Sequence, residues 1–466
     1  MNFLNKMYHG LPMQLQNFAI TMYGFYWKNR RLGATFKREV LKFKERESFT
    51  HLEWENYQEK ELRKLLINAF KNVPFYHDKY SKAGFSLEDF TNFKLSDLPN
   101  LPYLEKEDLR KFGTTTLLSK EKEKEKGKFL FSSGSTGTPV SIYFSKKTHQ
   151  KWFAAYEARV LNWAGVSAET PRGMIGGRKV IGDTKSKPPY FRINKAEQQT
   201  YFSAYHINNK TVANYAKGII DNKVEYMVGY AMSNYYLAKL FLEHKINIPK
   251  LKAVITSSEK LTDSMRKILE KVYGCKTFDT YSGMEACGLV SQNRFGDFLF
   301  SPDTGVLELV DKQGNAVENG KEGEVLLTGL LNFDQPLIRY RIGDRATKNI
   351  NQNTVSELNM PSILEINGRI EDCVFTKDGR EINRFHSLFL EIKGLMLGQI
   401  IQEEIENFRI NLVVENTYAK SSENIIKSRL ENQIGDNIEV KFIYLKDVPK
   451  NKNGKFRAVI NNITNG

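Results

Sequence analysis

Between residues 224 and 281 the pattern of apolar side chains changes period repeatedly, and no other stretch restricts the fold of this chain as much. VEYMVGY (224–230) has strand length and strand residues, and SNYYLAKLFLEHK (233–245) has helical spacing. LKAVITSS (251–258) returns to a strand, LTDSMRKILEKVY (261–273) to a helix, and KTFDTY (276–281) to a strand. That alternation predicts parallel strands joined by helical crossovers, because a parallel pair cannot be closed by a tight turn. From 304 to 345 the pattern differs: VLELV and EVLLTGLL, set between Gly-containing turns, predict antiparallel strands. Past residue 369, RINLVVE, NIEVKFIYL and a helix near 421–433 make a small α+β unit. The expected architecture is α/β. A large domain (1–368) holds a parallel sheet with crossover helices, and a small C-terminal α+β domain (369–466) follows it.

Upstream, Leu62, Leu65, Leu66, Ala69 and Phe70 share one helical face, and Val73-Pro74-Phe75 ends that helix. KFLFSS (128–133) reads as a short strand, and THQKWFAAYEARVLNW as a helix with Thr148 at its N-cap. Three cysteines (Cys275, Cys287, Cys373) without a CxxC pair exclude a disulfide framework and a zinc site of the usual spacing, and fit a reducing, cytoplasmic setting. With 69 basic and 54 acidic residues the net charge is +15, yet the cations are scattered among acidic neighbours. The run KEKEKEKGK (120–128) alternates in sign and reads as a solvated loop. No nucleic-acid-binding signature is present, so nucleic acid is not an expected partner, whereas anionic lipids, polyanionic substrates and nucleotides stay open.

No apolar run reaches the roughly 18 residues of a membrane span. His9, Gly10 and Pro12 interrupt the apolar region that a signal peptide would need. Residues 13–31, MQLQNFAITMYGFYWKNRR, interleave aromatics and Met with polar residues before a basic end. Such a helix either lies in a membrane interface, making the chain peripheral at the inner face, or packs on the protein's own surface.

The most chemically informative stretch is Ser132-Ser133-Gly134-Ser135-Thr136-Gly137-Thr138-Pro139. It is no Walker loop, since it has no lysine, but glycines let backbone N–H groups converge on an anion while hydroxyls add donors. A strand before it and a helix after it favour a phosphate loop over a flexible turn. FSSGSTGTP resembles the phosphate-loop signature of the adenylate-forming superfamily of acyl- and aryl-CoA ligases, and five further motifs follow in that family's order. They are Thr256-Ser257-Ser258-Glu259, Asp279-Thr280-Tyr281-Ser282-Gly283-Met284-Glu285, Arg339-Tyr340-Arg341-Ile342-Gly343-Asp344, Gly368-Arg369-Ile370-Glu371-Asp372 and Pro449 to Arg457. Singly, each has a bland reading as a cap, ion pair or solvated turn; chance matches would not keep the order.

The resemblance implies a role for each. Tyr281 would pack on adenine, Glu285 would help hold Mg²⁺, and Asp344 would take both ribose hydroxyls with its two acceptor oxygens. Arg369 would reach the nucleotide, and Glu371–Asp372 would be the hinge of a mobile C-terminal domain. Lys455 would be the catalytic cation, acting with Glu285 and Thr136. Ser132 to Thr138, Ser258, Glu259, Asp279, Thr280 and Ser282 would complete the ATP site.

ELRKLLINAFKNVPFYHDKY, LPYLEKEDLRKFG and SAYHINNKTVANY narrow the resemblance to phenylacetate–CoA ligase-like proteins, and within them to the CapK branch found with capsular polysaccharide biosynthesis. The implied reaction makes an acyl-AMP from ATP and a small carboxylic acid and then a thioester with CoA. Transfer to a glycan amine or a carrier protein, and an inactive membrane-associated assembly role, are the alternatives. Gly229-Tyr230-Ala231-Met232-Ser233 departs from the family's Gly-Tyr-Pro-Ser where the acyl pocket is expected. Tyr201, Tyr205, His206, Tyr230 and Trp152 could line that pocket or fill the core. A two-fold homodimer is the default assembly.

Overall fold

The computed structural model describes residues 3–122, 127–131, 140–182, 187–352, 354–369, 374–377, 381–382, 386–389, 392–435, 437–446 and 457–463. They form two compact units. One comprises Met1–Arg172, Ile193–Gln199 and Phe278–Ile366; the other comprises Gly173–Arg192, Thr200–Thr277 and Asn367–Gly466.

In the first unit, the helix His51–Asn72 starts at a capping box: Thr50 Oγ1 accepts from Glu53 N at 3.3 Å, and Glu53 Oε2 accepts from Thr50 N at 2.7 Å. It buries Leu62, Leu65, Leu66 and Ala69, the face its spacing predicts. Pro74 does more than stop this helix. It occupies the first turn of the next one, Pro74–Lys82, where its missing N–H costs nothing. The helix Lys146–Tyr156 is capped by Ser145, whose hydroxyl accepts from Thr148 N at 3.1 Å. Thr148 is therefore the third helical residue and not the cap that the sequence suggested. The helix runs into a π-helical turn, Glu157–Leu161, which carries Arg159 into the interior.

Arg159 has no exposed surface. Its guanidinium donates to Asp303 Oδ2 at 3.0 Å and to Glu47 Oε1 at 2.7 Å, and Arg46 donates to the same Asp303 oxygen at 3.0 Å. A buried cation persists only with such partners. Strands Gly305–Val310, Glu322–Gly329 and Tyr340–Lys348 are antiparallel in sequence order, as the alternation in that region predicts.

In the second unit, Tyr226–Tyr230 pairs in parallel with Ala253–Ser257, and the helix Ala231–Glu243 crosses between them. Asp263–Tyr273 follows as the next helix, capped by Thr262. The parallel crossover read from the sequence is thus present. In the C-terminal part, Leu395–Gln402 and Asn407–Val414 are antiparallel, and Glu439–Tyr444 and Val459–Asn461 add in parallel at the two edges. The helix Ser422–Ile434 covers this sheet with Ile426 and Leu430, over Ile400, Ile410 and Leu412. Lys239, on the helix Ala231–Glu243, ties this part in by donating to the Leu395 carbonyl at 2.9 Å.

His149 shows how tightly the first unit closes. Phe144, Phe153 and Trp27 surround its ring at 5.4, 5.1 and 5.5 Å between centroids, and Arg30 Nε donates to its Nδ1 at 3.2 Å. Burial first, then Arg31 and Arg30, hold its pKa down to about 3. Its pKa in the folded chain lies below the unfolded value near 6.5, so the unfolded chain binds the extra proton. Stability is fully present above that unfolded value and falls as pH drops toward 3. We expect wild-type stability to fall by about 2 kcal/mol more than that of His149→Phe between pH 7 and pH 5, read as urea midpoints. Parallel curves for the two proteins would contradict the buried neutral imidazole.

Candidate active site

The first unit brings Tyr281, Glu285 and Asp344 to one place. Tyr281 lies on the strand Thr277–Ser282, whose register with Leu289–Gln292 sets Thr280 against Ser291, Tyr281 against Val290 and Ser282 against Leu289. Asp344 lies on Tyr340–Lys348, where alternate residues turn inward, so that Tyr340, Ile342 and Asp344 share the buried face. The pairing slips there. Glu324 faces Arg345 and Leu326 faces Arg341, so four residue steps on one strand oppose two on the other. Gly343, at φ +85°, sits in this bulge and lets the backbone re-aim its successor. The outcome is a 2.7 Å hydrogen bond from the Tyr281 hydroxyl to Asp344 Oδ2. Burial, and after it the Asp344 carboxylate, push the Tyr281 phenol well above its ordinary range, so it remains a donor.

Glu285 is buried in the turn after Tyr281, and Tyr340 donates to its Oε1 at 3.5 Å. Its other oxygen folds back over Gly283, where an added Cβ would lie 2.3 Å from it. A glycine is therefore needed for the carboxylate to take this position. Among the described residues there is no group of three or more His, Cys, Asp or Glu side chains for a metal. One buried carboxylate suits Mg²⁺ carried on a nucleotide, since that ion takes one or two protein carboxylates and phosphate oxygens for the rest. Asp279 bonds locally, accepting from Thr280 N at 3.0 Å. Cys287 is buried, and burial followed by Glu285 raises its thiol well above the usual range, which keeps it unreactive.

The arginines of Arg339-Tyr340-Arg341 are structural, which the motif alone did not reveal. Arg339 is buried at φ +47° and forks onto Glu308 at 2.9 and 3.1 Å, while its third nitrogen donates to the carbonyls of Pro99 and Leu101, each at 2.7 Å. Arg341 forks onto Glu324 at 2.7 and 3.0 Å. Together they fix the start of the strand that presents Asp344.

The second unit gathers most of the expected acyl-pocket residues. Tyr205 donates to the Gly177 carbonyl at 3.2 Å, and Tyr230 also approaches the Gly177 backbone, with its phenol raised by burial and then by Glu259 and Tyr205. Gly229, at φ +133°, passes so close to Ile175 that a Cβ would lie 1.8 Å from its carbonyl oxygen. Glu259 accepts from Met232 N at 2.9 Å and so satisfies the start of the helix Ala231–Glu243, while Ser258 beside it has φ +68°. His206 is buried, stacked on Tyr190 at 4.9 Å, with Nδ1 2.7 Å from Ser203 Oγ. Tyr201 lies beneath the Arg178 guanidinium at 4.9 Å and Tyr205 beneath the Lys179 ammonium at 5.3 Å, two cations that no motif flagged. Trp152 belongs to the first unit and packs against its core. Ser132 to Thr138, the hinge pair Glu371 and Asp372, and Lys455 lie outside the described residues, as does the side chain of Arg369, the last residue of the strand Ile363–Arg369.

The chain is similar to several known proteins. The family model described as the CapK C-terminal domain matches residues 374–462. Protein CapK of Staphylococcus aureus is 26% identical over 468 residues, covering 99% of this chain and 100% of that protein. The phenylacetate-coenzyme A ligase of Thermus thermophilus is 25% identical over 295 residues, 62% of this chain and 64% of that enzyme. Among solved structures, 2-hydroxyisobutyryl-CoA ligase in the postadenylation state, in complex with R3-HIB-AMP, superposes with a TM-score of 0.71 at 18% identity, over 89% of this chain and 91% of that one. The chain is thus similar along its whole length to Protein CapK, matches the CapK C-terminal domain over residues 374–462, and shares the fold of 2-hydroxyisobutyryl-CoA ligase.

Proposed function

We propose that the chain is an AMP-forming carboxylate ligase, which activates a small carboxylic acid with ATP and passes the acyl group to CoA. The observation that carries this reading is the 2.7 Å bond between Tyr281 and Asp344. It holds a buried carboxylate in a fixed orientation beside an aromatic ring, the pair that would take the ribose and the base of a nucleotide.

A free carboxylate is a poor acyl donor because oxide would have to leave. In the first step a carboxylate oxygen bonds to the α-phosphorus, the bond from that phosphorus to the bridging oxygen breaks, and pyrophosphate departs. Asp344 and Tyr281 fix the nucleoside so that this attack is in line. Glu285 would hold Mg²⁺, which when bound would neutralise charge on the phosphates. The Ser132–Thr138 loop with Thr136 would grip the leaving phosphates, Arg369 the nucleotide, and Lys455 the charge that develops. In the second step a thiol attacks the acyl carbonyl, loses its proton, and AMP leaves. A domain division at 368/369, with Glu371–Asp372 as its hinge, would remove Lys455 between the two steps. Tyr205, Tyr230 and Gly229 would shape the acyl site, with Arg178 and Lys179 as cations for the substrate's charge and His206 held nearby by Ser203.

The match to Protein CapK spans the chain, whereas that to the Thermus ligase covers 62% of it. This favours a second reading in which the acceptor is a glycan amine or a carrier protein in surface polysaccharide assembly. Pyrophosphate release across aryl, fatty, hydroxy and amino acids, with and without CoA, separates the two. CoA stimulation with one acid supports the thioester; acid-dependent release indifferent to CoA moves the acceptor to an amine or carrier. Silence across the panel, with no ATP binding by calorimetry, would overturn both. Lys455→Ala should suppress adenylation far more than thioester formation from preformed acyl-AMP; equal losses would contradict its role. For Tyr281→Phe, loss of one donor to a charged acceptor should weaken ATP binding about tenfold, roughly 1.4 kcal/mol, and Asp344→Ala should cost more. An unchanged Kd in Tyr281→Phe would refute the orienting bond.

A further inference from the structure

The helix Met13–Arg31 is turned inside out. Apart from Trp27, which packs on His149, its protein-facing side is mostly polar: Gln16, Gly24 and Arg30 are buried. Asn17 Oδ1 accepts from Ile193 N at 2.9 Å, Thr21 Oγ1 accepts from Lys195 N at 3.2 Å, and Gly24 abuts Asn194. The outward side is the apolar one. Leu15, Phe18, Met22 and Phe25 repeat at intervals of three and four residues along it, with Phe18 64% and Phe25 56% exposed. Tyr23 and Tyr26 widen the strip. Eight of the 21 exposed large hydrophobic side chains among the described residues fall between residues 7 and 26. An ordinary surface helix has the opposite polarity, so this face is built for a medium other than water.

Charge says which medium. The first acidic residue of the chain is Glu39, and Lys6, Lys28, Arg30, Arg31, Lys37 and Arg38 all precede it. Arg30 and Arg31 are turned inward, to His149 and Glu197. Lys128 lies 4.4 Å from the ring centroid of Tyr26, and Lys146 Nζ reaches Asn29 Oδ1 at 3.5 Å, so cations added from elsewhere in the first unit also gather at the C-terminal end of the helix. A second copy packed on this strip would bring two acid-free helices together with no complementary charge, whereas an anionic bilayer supplies both hydrocarbon and negative charge. Among the described residues no helix is long and apolar enough to cross a membrane, so this one would lie on it.

We propose that the Leu15–Phe18–Met22–Phe25 face of the helix Met13–Arg31 docks this protein on an anionic lipid surface. The test is co-sedimentation of the full chain with phosphatidylcholine vesicles, with or without about 30% phosphatidylglycerol. Wild type should partition roughly tenfold more strongly onto the anionic vesicles, with the preference falling as salt rises. The Phe18→Ser, Met22→Ser, Phe25→Ser triple variant should lose that binding while keeping wild-type ATP affinity, which shows that it is folded. Equal partition of wild type and variant, or no vesicle binding by wild type, overturns the proposal. So does a wild-type dimer in sedimentation velocity that the triple variant dissociates, since the face would then belong to a second copy.

Discussion

The buried guanidinium of Arg339 fixes much of what surrounds it. A charge with 1% exposure survives only if its donors are met, and here one glutamate and two backbone carbonyls meet them. Glu308 belongs to the first of three antiparallel strands, and Pro99 and Leu101 to the segment before the helix Lys106–Phe112. One side chain therefore welds the entering chain to the sheet. Because Arg339 immediately precedes Tyr340–Lys348, it also sets where that strand begins. The bulge around Gly343 then delivers Asp344 to the Tyr281 hydroxyl. Removing Arg339 would leave the half-buried Glu308 without its cation and free the strand that presents Asp344.

The proposed function would draw on that rigidity. Binding a ribose through a carboxylate demands that both its oxygens be held in a fixed plane, and a hydrogen bond from a neighbouring phenol does this at little entropic cost. The same turn places Glu285 over Gly283, where a glycine is the one residue that leaves room. The second unit uses a similar device, with Gly229 letting one strand approach the Ile175 backbone so that Tyr230 and Tyr205 meet at Gly177. Tight backbone approaches, and not loop flexibility, position the aromatic and acidic groups in both units.

Much of this was legible in the sequence, and the limits have physical causes. The parallel crossover around 226–257 shows in the pattern because strand and helix impose different periods on apolar residues. Tyr281, Glu285 and Asp344 stood out because their order along the chain is itself informative, and the structure shows Tyr281 bonded to Asp344. The bulge at Gly343 was not, since a slip of register leaves no mark on composition. Arg339 and Arg341 read as a motif, but their partners Glu308, Pro99 and Glu324 are distant in sequence. Thr148 looked like a cap because any hydroxyl before an apolar run does; Ser145, three residues earlier, has the extended backbone that a cap requires. Arg178 and Lys179 belong to no motif, and only folding sets them over Tyr201 and Tyr205. Residues 13–31 left two readings open, and the structure shows the helix packed on the protein by its polar side with its apolar side outward.

The central claim is chemical: a carboxylate attacks the α-phosphorus of ATP and releases pyrophosphate. It is tested most directly by the exchange of labelled pyrophosphate into ATP, which reports reversal of the first step and needs no acceptor. The account predicts exchange that depends on a carboxylic acid, proceeds without CoA, and is greatly reduced in Asp344→Ala. Release of ADP and orthophosphate in place of exchange, or exchange undiminished by that substitution, would contradict it.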